Sequence, residues 1–222
     1  MNWSALILSL ELSAWTVVWL LPLGVLVARE LAWRDFPGRP WIEAVVALPL
    51  VLPPTVLGYY LLSVFGAAAP IGQAWQSAFG HPLAFSFQGL LLASLVFNLP
   101  FAVQPMQRAF QAISHEVREA AWCSGMSHWR TLLMIELPLA WPGIVSALVL
   151  TFAHTMGEFG VVLMMGGNIP GETQTIAIAI YDRVQAFDER GAATMSGLLL
   201  AFSLLAIGVV YVLANRVGRR RG

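Results

Sequence analysis

His154 and Glu158 are residues whose types and spacing could support chemistry, since they lie four apart in a long apolar stretch. At that spacing two side chains share one face of a helix, which suits a pair of metal ligands. No third ligand accompanies them at helical spacing, and Ser146 with His154 forms no recognisable nucleophile arrangement. A hydrogen-bonded structural pair is the favoured interpretation, and neither a metal site nor a catalytic residue is predicted. An intramembrane enzyme stays the alternative from a different class.

The apolar stretches that must position these residues set the class of protein. Hydrophobic residues make up 58% of the 222 residues and charged residues 11%, against roughly 25% charged in a soluble domain. No Asp, Glu, Lys or Arg occurs between Glu43 and Arg108, or between Arg190 and Arg216. Uncharged stretches of this length predict membrane spans. The formal net charge is zero, which gives no indication of nucleic-acid binding.

We therefore predict an all-α integral membrane protein with a single transmembrane domain over residues 1–222. About five spans are expected, at 10–28, 42–65, 86–104, 142–165 and 192–214. The second span should be kinked or locally unwound and should line a pathway, because prolines remove backbone donors at three of its positions: Pro49, Pro53 and Pro54.

The arginines predict the orientation of these spans in the membrane. Ten of the twelve lie in 29–41, in 105–141 and in the C-terminal tail, and only Arg183 and Arg190 lie elsewhere. Because positive loops stay in the cytoplasm, the N-terminus is expected outside and the C-terminus inside. The outer loop 66–85 should contain a short interfacial helix.

The longest polar interval, 105–141, is predicted to form a helix–glycine–helix hairpin. Ser114 can cap the first helix, and Gly125 is expected to end it in a left-handed conformation. Ser127 can cap a second short helix, which would end before Pro138. An ordered inner loop that exposes apolar residues needs a surface to dock against. Packing of the loop against the ends of its own spans is the alternative.

Two sets of residues resemble motifs of known importer permeases. The 105–141 interval resembles the EAA loop of ABC-importer permeases, and seven residues carry the match: Glu119, Ala120, Ala121, Gly125, Ile135, Leu137 and Pro138. Three further stretches resemble the molybdate permease family: Leu48–Tyr59, Phe152–Gly160 and Gly167–Ile176. The resemblance covers almost the whole chain, and sulfate permeases carry a similar glycine–glutamate–aromatic–glycine turn.

This resemblance implies a type I importer (MetI-like) permease fold in the bacterial cytoplasmic membrane, and a chain that conducts molybdate without catalysing a reaction. The implied partners are a second copy, two ATP-binding subunits that receive the loop, an extracytoplasmic molybdate-binding protein and membrane lipid. No cofactor is expected on this chain, because ATP and Mg would lie on the partner. The chain itself has no lysine and no G-x-x-x-x-G-K-[ST] loop. Sulfate and tungstate permeases are the alternatives, and a secondary transporter is disfavoured because five spans leave no room for two repeats.

Residues of the second, third and fourth predicted spans are candidates for the pathway or its gate. They are Pro53, Pro54, Thr55, Tyr59, Asn98, Gly157 and Glu158. Thr55, Tyr59 and Asn98 could offer donors to a passing oxyanion, or could form ordinary hydrogen bonds between helices. Glu158 would repel an anion, so we expect it to bond to nearby backbone where Gly157 and Gly160 loosen the helix.

Overall fold

The computed structural model describes residues 2–219, and every regular element in this part of the chain is a helix. The four tail arginines of the orientation argument have no described side chains. The helices are α1 (Trp3–Trp33), α2 (Arg39–Val51), α3 (Pro54–Phe65), α4 (Pro70–Phe79), α5 (Phe87–Gln111), α6 (His115–Cys123), α7 (His128–Thr131), α8 (Leu137–Gly157), α9 (Gly160–Gly166), α10 (Ile176–Gln185) and α11 (Glu189–Arg219). A π-helical turn, Leu132–Glu136, joins α7 to α8.

Four helical stretches of the described chain are long and apolar enough to cross a membrane. They are Trp3–Trp33, Phe87–Gln111, His128–Gly157 and Glu189–Gly208, and α2 with α3 forms a fifth candidate that is bent by 114°. This agrees with the prediction of an all-α protein with about five spans. The predicted short helix of the outer loop is α4.

The buried clusters show which ends of the helices lie together. Ala28 near the end of α1 packs with Met106 near the end of α5, and Leu12 near the start of α1 packs with Leu90 near the start of α5. These two helices are therefore parallel. Met156 at the far end of α8 packs with Ala5 at the start of α1, so α8 runs antiparallel to both.

The interruption predicted in the second span is confirmed, and it lies between α2 and α3. Leu52 and Pro53 are extended, with ψ 135° at both residues, and Pro54 begins α3. Proline suits the first turn of a helix, where its missing N–H has no partner to lose. Val46 of α2 packs in the cluster around Met106, whereas α3 packs beside the first half of α5. The helices α2 and α3 together therefore still lead from one end of the bundle to the other.

The prediction that the second loop helix ends before Pro138 is wrong. The helix that begins at His128 continues to Gly157, and Pro138 lies in its interior. The π-helical turn explains this, because the N–H of Leu137 donates to the carbonyl of Leu132 five residues earlier. A widened turn accommodates a proline ring that a regular turn would exclude.

The fourth span also differs from the expected continuous 142–165. Its helix ends at Gly157, Glu158 is extended with ψ 133°, and α9 starts at Gly160. A second break therefore interrupts the bundle, in addition to the break at Pro53.

Candidate docking loop and pathway lining

The loop between α5 and α8 contains a helix with two different faces. In α6, Arg118 and Ala121 are buried, whereas Glu119 and Ala120 are exposed. Val117 adds an exposed apolar side chain. The buried face holds the helix against the bundle, and the exposed face is free to meet another molecule.

Gly125 ends this loop helix in the predicted manner. Its φ is +79°, and its N–H donates to the carbonyl of Trp122 at 2.9 Å. A side chain at this position would meet nothing within 4 Å. Only the left-handed backbone therefore requires glycine here, since other L-residues pay about 1–2 kcal/mol for that conformation.

The two predicted capping serines behave differently. Ser127 precedes α7, and its hydroxyl accepts the N–H of Arg130 at 3.3 Å, as expected. Ser114 precedes α6, but its side chain makes no capping hydrogen bond. The remaining residues of the loop motif lie along the joined α7–α8 helix: Ile135 and Leu137 are half-buried and Pro138 is exposed.

A buried ion-pair triad underlies the loop, and sequence reasoning missed it. Glu136 has no exposed surface, and its carboxylate accepts from Arg118 Nε at 2.9 Å and from Arg29 Nε at 2.5 Å. The Arg118 guanidinium also lies over the Trp33 ring at 3.9 Å and faces Trp122 at 4.9 Å. The one sequence signal was an acid within the apolar run Leu132–Leu139. Its partners lie too far along the chain for spacing to reveal them.

The two helix breaks lie side by side. A Cβ added to Gly160, at the start of α9, would stand 2.7 Å from the Cβ of Pro54, at the start of α3. Thr55 and Tyr59 follow on α3, and both are exposed. Irregular backbone at membrane depth is tolerated where protein covers it or where it lines a cavity. The structure thus places the start of α9 against Pro54, one of the candidates of the second span.

Glu158 acts on backbone, as expected. Its side chain is 9% exposed, and its carboxylate accepts the N–H of Val161 at 2.9 Å. It thereby satisfies a donor in the first turn of α9, where a helix leaves N–H groups without partners. Neighbouring Gly157 is exposed, with open space around it.

The expected hydrogen-bonded pair of His154 and Glu158 is wrong. The helix ends between them, so they do not share a face, and His154 Nδ1 pairs with Asn98 Oδ1 at 3.0 Å. The His154 ring stacks on Phe101 with centroids 4.0 Å apart. Asn98 is fully buried and also donates to the carbonyl of Ser94 at 2.9 Å. The sequence allows two interpretations of Asn98, as a donor to a passing oxyanion or as a partner in a hydrogen bond between helices. The structure shows the hydrogen bond, which joins α5 to α8.

Within the described residues, no three His, Cys, Asp or Glu side chains are grouped so that they could hold a metal ion.

Broken helices in contact and a two-faced helix in a loop at one end of the bundle indicate a membrane transport subunit. The comparisons with known proteins agree. A model of the binding-protein-dependent transport system inner membrane component matches residues 20–221, and the chain belongs to this family.

Curated relatives narrow the comparison. The molybdenum transport system permease protein ModB of Azotobacter vinelandii is 47% identical over 208 residues, 94% of this chain and 92% of the relative. ModB of Escherichia coli K12 is 38% identical over 221 residues, 99% and 96% of the two chains. The sulfate transport system permease protein CysT of the same strain is 32% identical over 197 residues, 89% and 71% of the two chains.

A solved structure shows the fold. A bacterial ABC transporter involved in the import of the acidic polysaccharide alginate matches with a TM-score of 0.71 and 19% identity, covering 98% of this chain and 78% of that chain. The predicted ABC-importer permease fold and the resemblance to molybdate permeases are both confirmed.

Proposed function

We propose that this chain is the membrane-spanning permease subunit of an ATP-binding-cassette importer for molybdate. The 47% identity to the molybdenum permease of Azotobacter vinelandii, over 94% of the chain, carries this proposal. The sulfate permease is less similar, at 32% identity, so sulfate is the second candidate substrate. Tungstate is a further candidate because it has nearly the size and charge of molybdate. The chain conducts the anion, and a separate partner hydrolyses ATP.

The orientation follows from the distribution of charge over the two ends of the bundle. One end has six arginines, and the opposite end has Arg183 and Arg190. Arginine-rich loops stay in the cytoplasm, so the chain crosses a bacterial cytoplasmic membrane with its N-terminus outside and its C-terminus inside. The α6 helix then faces the cytoplasm.

The segment between α5 and α8, which we call the docking loop, supplies the contact with the ATP-binding subunit. Its exposed surface, with Glu119, Ala120 and Gly125, sits in a groove of that subunit, one for each copy of this chain. The nearby apolar residues Trp129 and Leu133 are 67% and 62% exposed and belong to the same contact. A cytoplasmic surface of this kind is expected to be covered by a partner.

The pathway lies between this chain and a second copy, with the two helix breaks along its wall. Exposed Thr55 and Tyr59 line it beside Pro53 and Pro54, and exposed Gly157 lies at the second break. Asn98 and Glu158 support this wall through their hydrogen bonds. An extracytoplasmic binding protein delivers the anion to the outer end. Membrane lipid surrounds the remaining apolar surface, and neither a cofactor nor nucleic acid binds this chain.

Anion uptake tests the substrate assignment. Cells that lack their own molybdate and sulfate permeases receive this chain with its ATP-binding subunits and binding protein, and uptake of labelled molybdate and sulfate is measured. We expect molybdate uptake, competed by excess tungstate and not by excess sulfate. Cells that receive the two partners without this chain are the control. Restored sulfate uptake without molybdate uptake would contradict the proposal.

A further inference from the structure

We infer that the triad of Arg29, Arg118 and Glu136 is the mechanical link through which α6 moves the membrane helices, and that Glu136 is its central positioning residue. The inference rests on the proposed function, because it assumes that an ATP-binding subunit moves α6. It concerns residues outside the loop motif and adds an internal connection to the docking surface.

The triad joins three elements that are distant in the chain. Arg118 lies in the middle of α6, Arg29 lies near the end of α1, and Glu136 ends the π-helical turn that leads into α8. One carboxylate receives both guanidinium groups, with Arg29 binding through Nε at 2.5 Å and through a second nitrogen at 3.2 Å. A displacement of α6 is therefore transmitted to two long membrane helices at once.

Few other polar contacts tie α6 to the bundle. Among the described residues, Arg118 makes the one side-chain hydrogen bond between α6 and a membrane helix. Ring contacts add to it, because the Arg118 guanidinium lies between Trp33 of α1 and Trp122 of α6. The apolar contacts of Ala121 can slide, whereas a hydrogen-bonded ion pair fixes both distance and direction.

Stability alone does not explain a buried triad of this kind. Desolvation of buried charges offsets much of their attraction, and well-packed apolar residues often serve the fold equally well. A buried polar network does fix one relative placement of its elements, because any other placement leaves a charge without a partner. We therefore assign the triad to the fixed register between α6 and the helices that it moves.

The π-helical turn supports this assignment. It inserts an extra residue between α7 and α8, and Glu136 is the last residue of the turn. A π-turn rotates the residues that follow it, and such turns often occur at functional sites. Here Glu136, the last residue of the turn, binds both Arg29 and Arg118 through its carboxylate.

The test uses the complete importer in lipid vesicles. The amounts of molybdate inside and outside the vesicles are measured together with the amount of ATP hydrolysed. The first variant, Glu136→Gln, leaves two arginines without a carboxylate. The second variant replaces the whole triad with apolar residues: Arg29→Met, Arg118→Met and Glu136→Leu. Methionine still packs between the two tryptophan rings, so this variant keeps the fold without the ionic link. The matched control is Arg34→Gln, which removes an exposed ion pair with Glu30 at the same end.

We expect molybdate transported per ATP to fall by about tenfold or more in both triad variants, within the usual range of coupling between sites. ATP hydrolysis and the amount of assembled importer should stay near those of the unaltered protein in the apolar variant. Arg34→Gln should leave the ratio unchanged. If Glu136→Gln fails to assemble, the apolar variant alone decides the question.

An apolar variant that assembles and transports with the unaltered ratio would overturn the inference, since the triad would then serve only the fold. Failure of the proposed function is a separate result, because the unaltered importer would then move no molybdate with ATP. The comparison of variants begins only from an importer that transports.

Discussion

The two ends of the helix bundle are held together by different kinds of polar contact. At the arginine-rich end, the buried contact is ionic and joins Arg29, Arg118 and Glu136. In the half of the bundle towards the opposite end, the buried side-chain contact between α1 and α5 is neutral, namely the 2.8 Å hydrogen bond between Thr16 and Ser94. Breaking a buried ion pair leaves a charge without a partner, which costs much free energy. Breaking a neutral hydrogen bond between membrane helices costs little. The loop that we propose to contact the ATP-binding subunit therefore has the polar contact that is costlier to break.

The largest effect is expected at the ionic end. Glu136→Leu alone should destabilise the chain by about 3–5 kcal/mol, because the buried Arg118 guanidinium and the partly buried Arg29 guanidinium lose their carboxylate. Unfolding of the purified chain in increasing SDS, followed by tryptophan fluorescence, measures the change. Asp35→Asn is the control, since Asp35 is 98% exposed in its pair with Arg39 and its loss should cost less than about 1 kcal/mol. Equal effects of the two changes would remove the contrast between a buried and an exposed pair.

The contact between the two helix breaks comes next. Gly160→Ala should destabilise the chain by about 1–3 kcal/mol, since its Cβ would overlap the rigid ring of Pro54. Gly157→Ala is the matched control, because a Cβ added at Gly157 would meet nothing within 4 Å. It should leave the unfolding midpoint unchanged or raise it slightly. If Gly160→Ala left the free energy of unfolding unchanged, the two helix breaks would not be packed together.

The left-handed glycine of the docking loop gives a smaller change in stability with a large change in function. Gly125→Val should cost about 1–2 kcal/mol or somewhat more for its branched side chain. Molybdate transport per ATP should fall while membrane insertion is kept. Gly80→Val carries the same strain, at φ +77° and with the same open space, but Gly80 lies between α4 and α5, at the opposite end of the bundle. Transport that falls equally in both variants would contradict the docking role.

Removing the neutral hydrogen bond between Thr16 and Ser94 should destabilise the chain less than removing the carboxylate of the triad. Thr16→Val removes the hydroxyl that pairs with Ser94 and keeps the shape of the side chain. We expect a loss of about 0.6 kcal/mol, the average for hydrogen bonds between membrane helices. Thr16→Ser retains the hydroxyl and serves as control. A loss as large as that of Glu136→Leu would erase the difference between the two ends.

The smallest effect concerns the start of α11, at the end of the bundle opposite to the ionic triad. The N–H of Gly191 and the guanidinium of Arg183 hold the pKa of Asp188 below its usual value. A lowered folded-state pKa means that this stabilisation is present above the ordinary pKa of Asp and is lost as the pH falls through the lowered value. The melting temperature of Asp188→Asn should therefore lie slightly below that of the unaltered chain at pH 7, and the difference should vanish in acid. A difference that persists in acid would exclude the charge as its cause.

Sequence patterns predicted the parts of this protein that depend on neighbours in the chain. Long uncharged stretches indicated the apolar helices, Pro53 and Pro54 indicated the break between α2 and α3, and Gly125 indicated the left-handed end of α6. Each of these signals acts within one or two turns, since it reflects hydrophobic length, a missing backbone donor or a steric limit.

Tertiary structure alone decided which distant residues meet. Glu136 pairs with Arg29 across 107 residues and with Arg118 across 18, and Asn98 takes the His154 that spacing had paired with Glu158. Such contacts depend on the direction in which whole helices pack, which no local pattern encodes. The continuation of the helix through Pro138 was missed because a π-turn, and not the proline, sets the local register. The sequence thus determined a set of apolar helices and a short loop helix that ends at Gly125, and packing determined what connects that loop helix to the apolar helices.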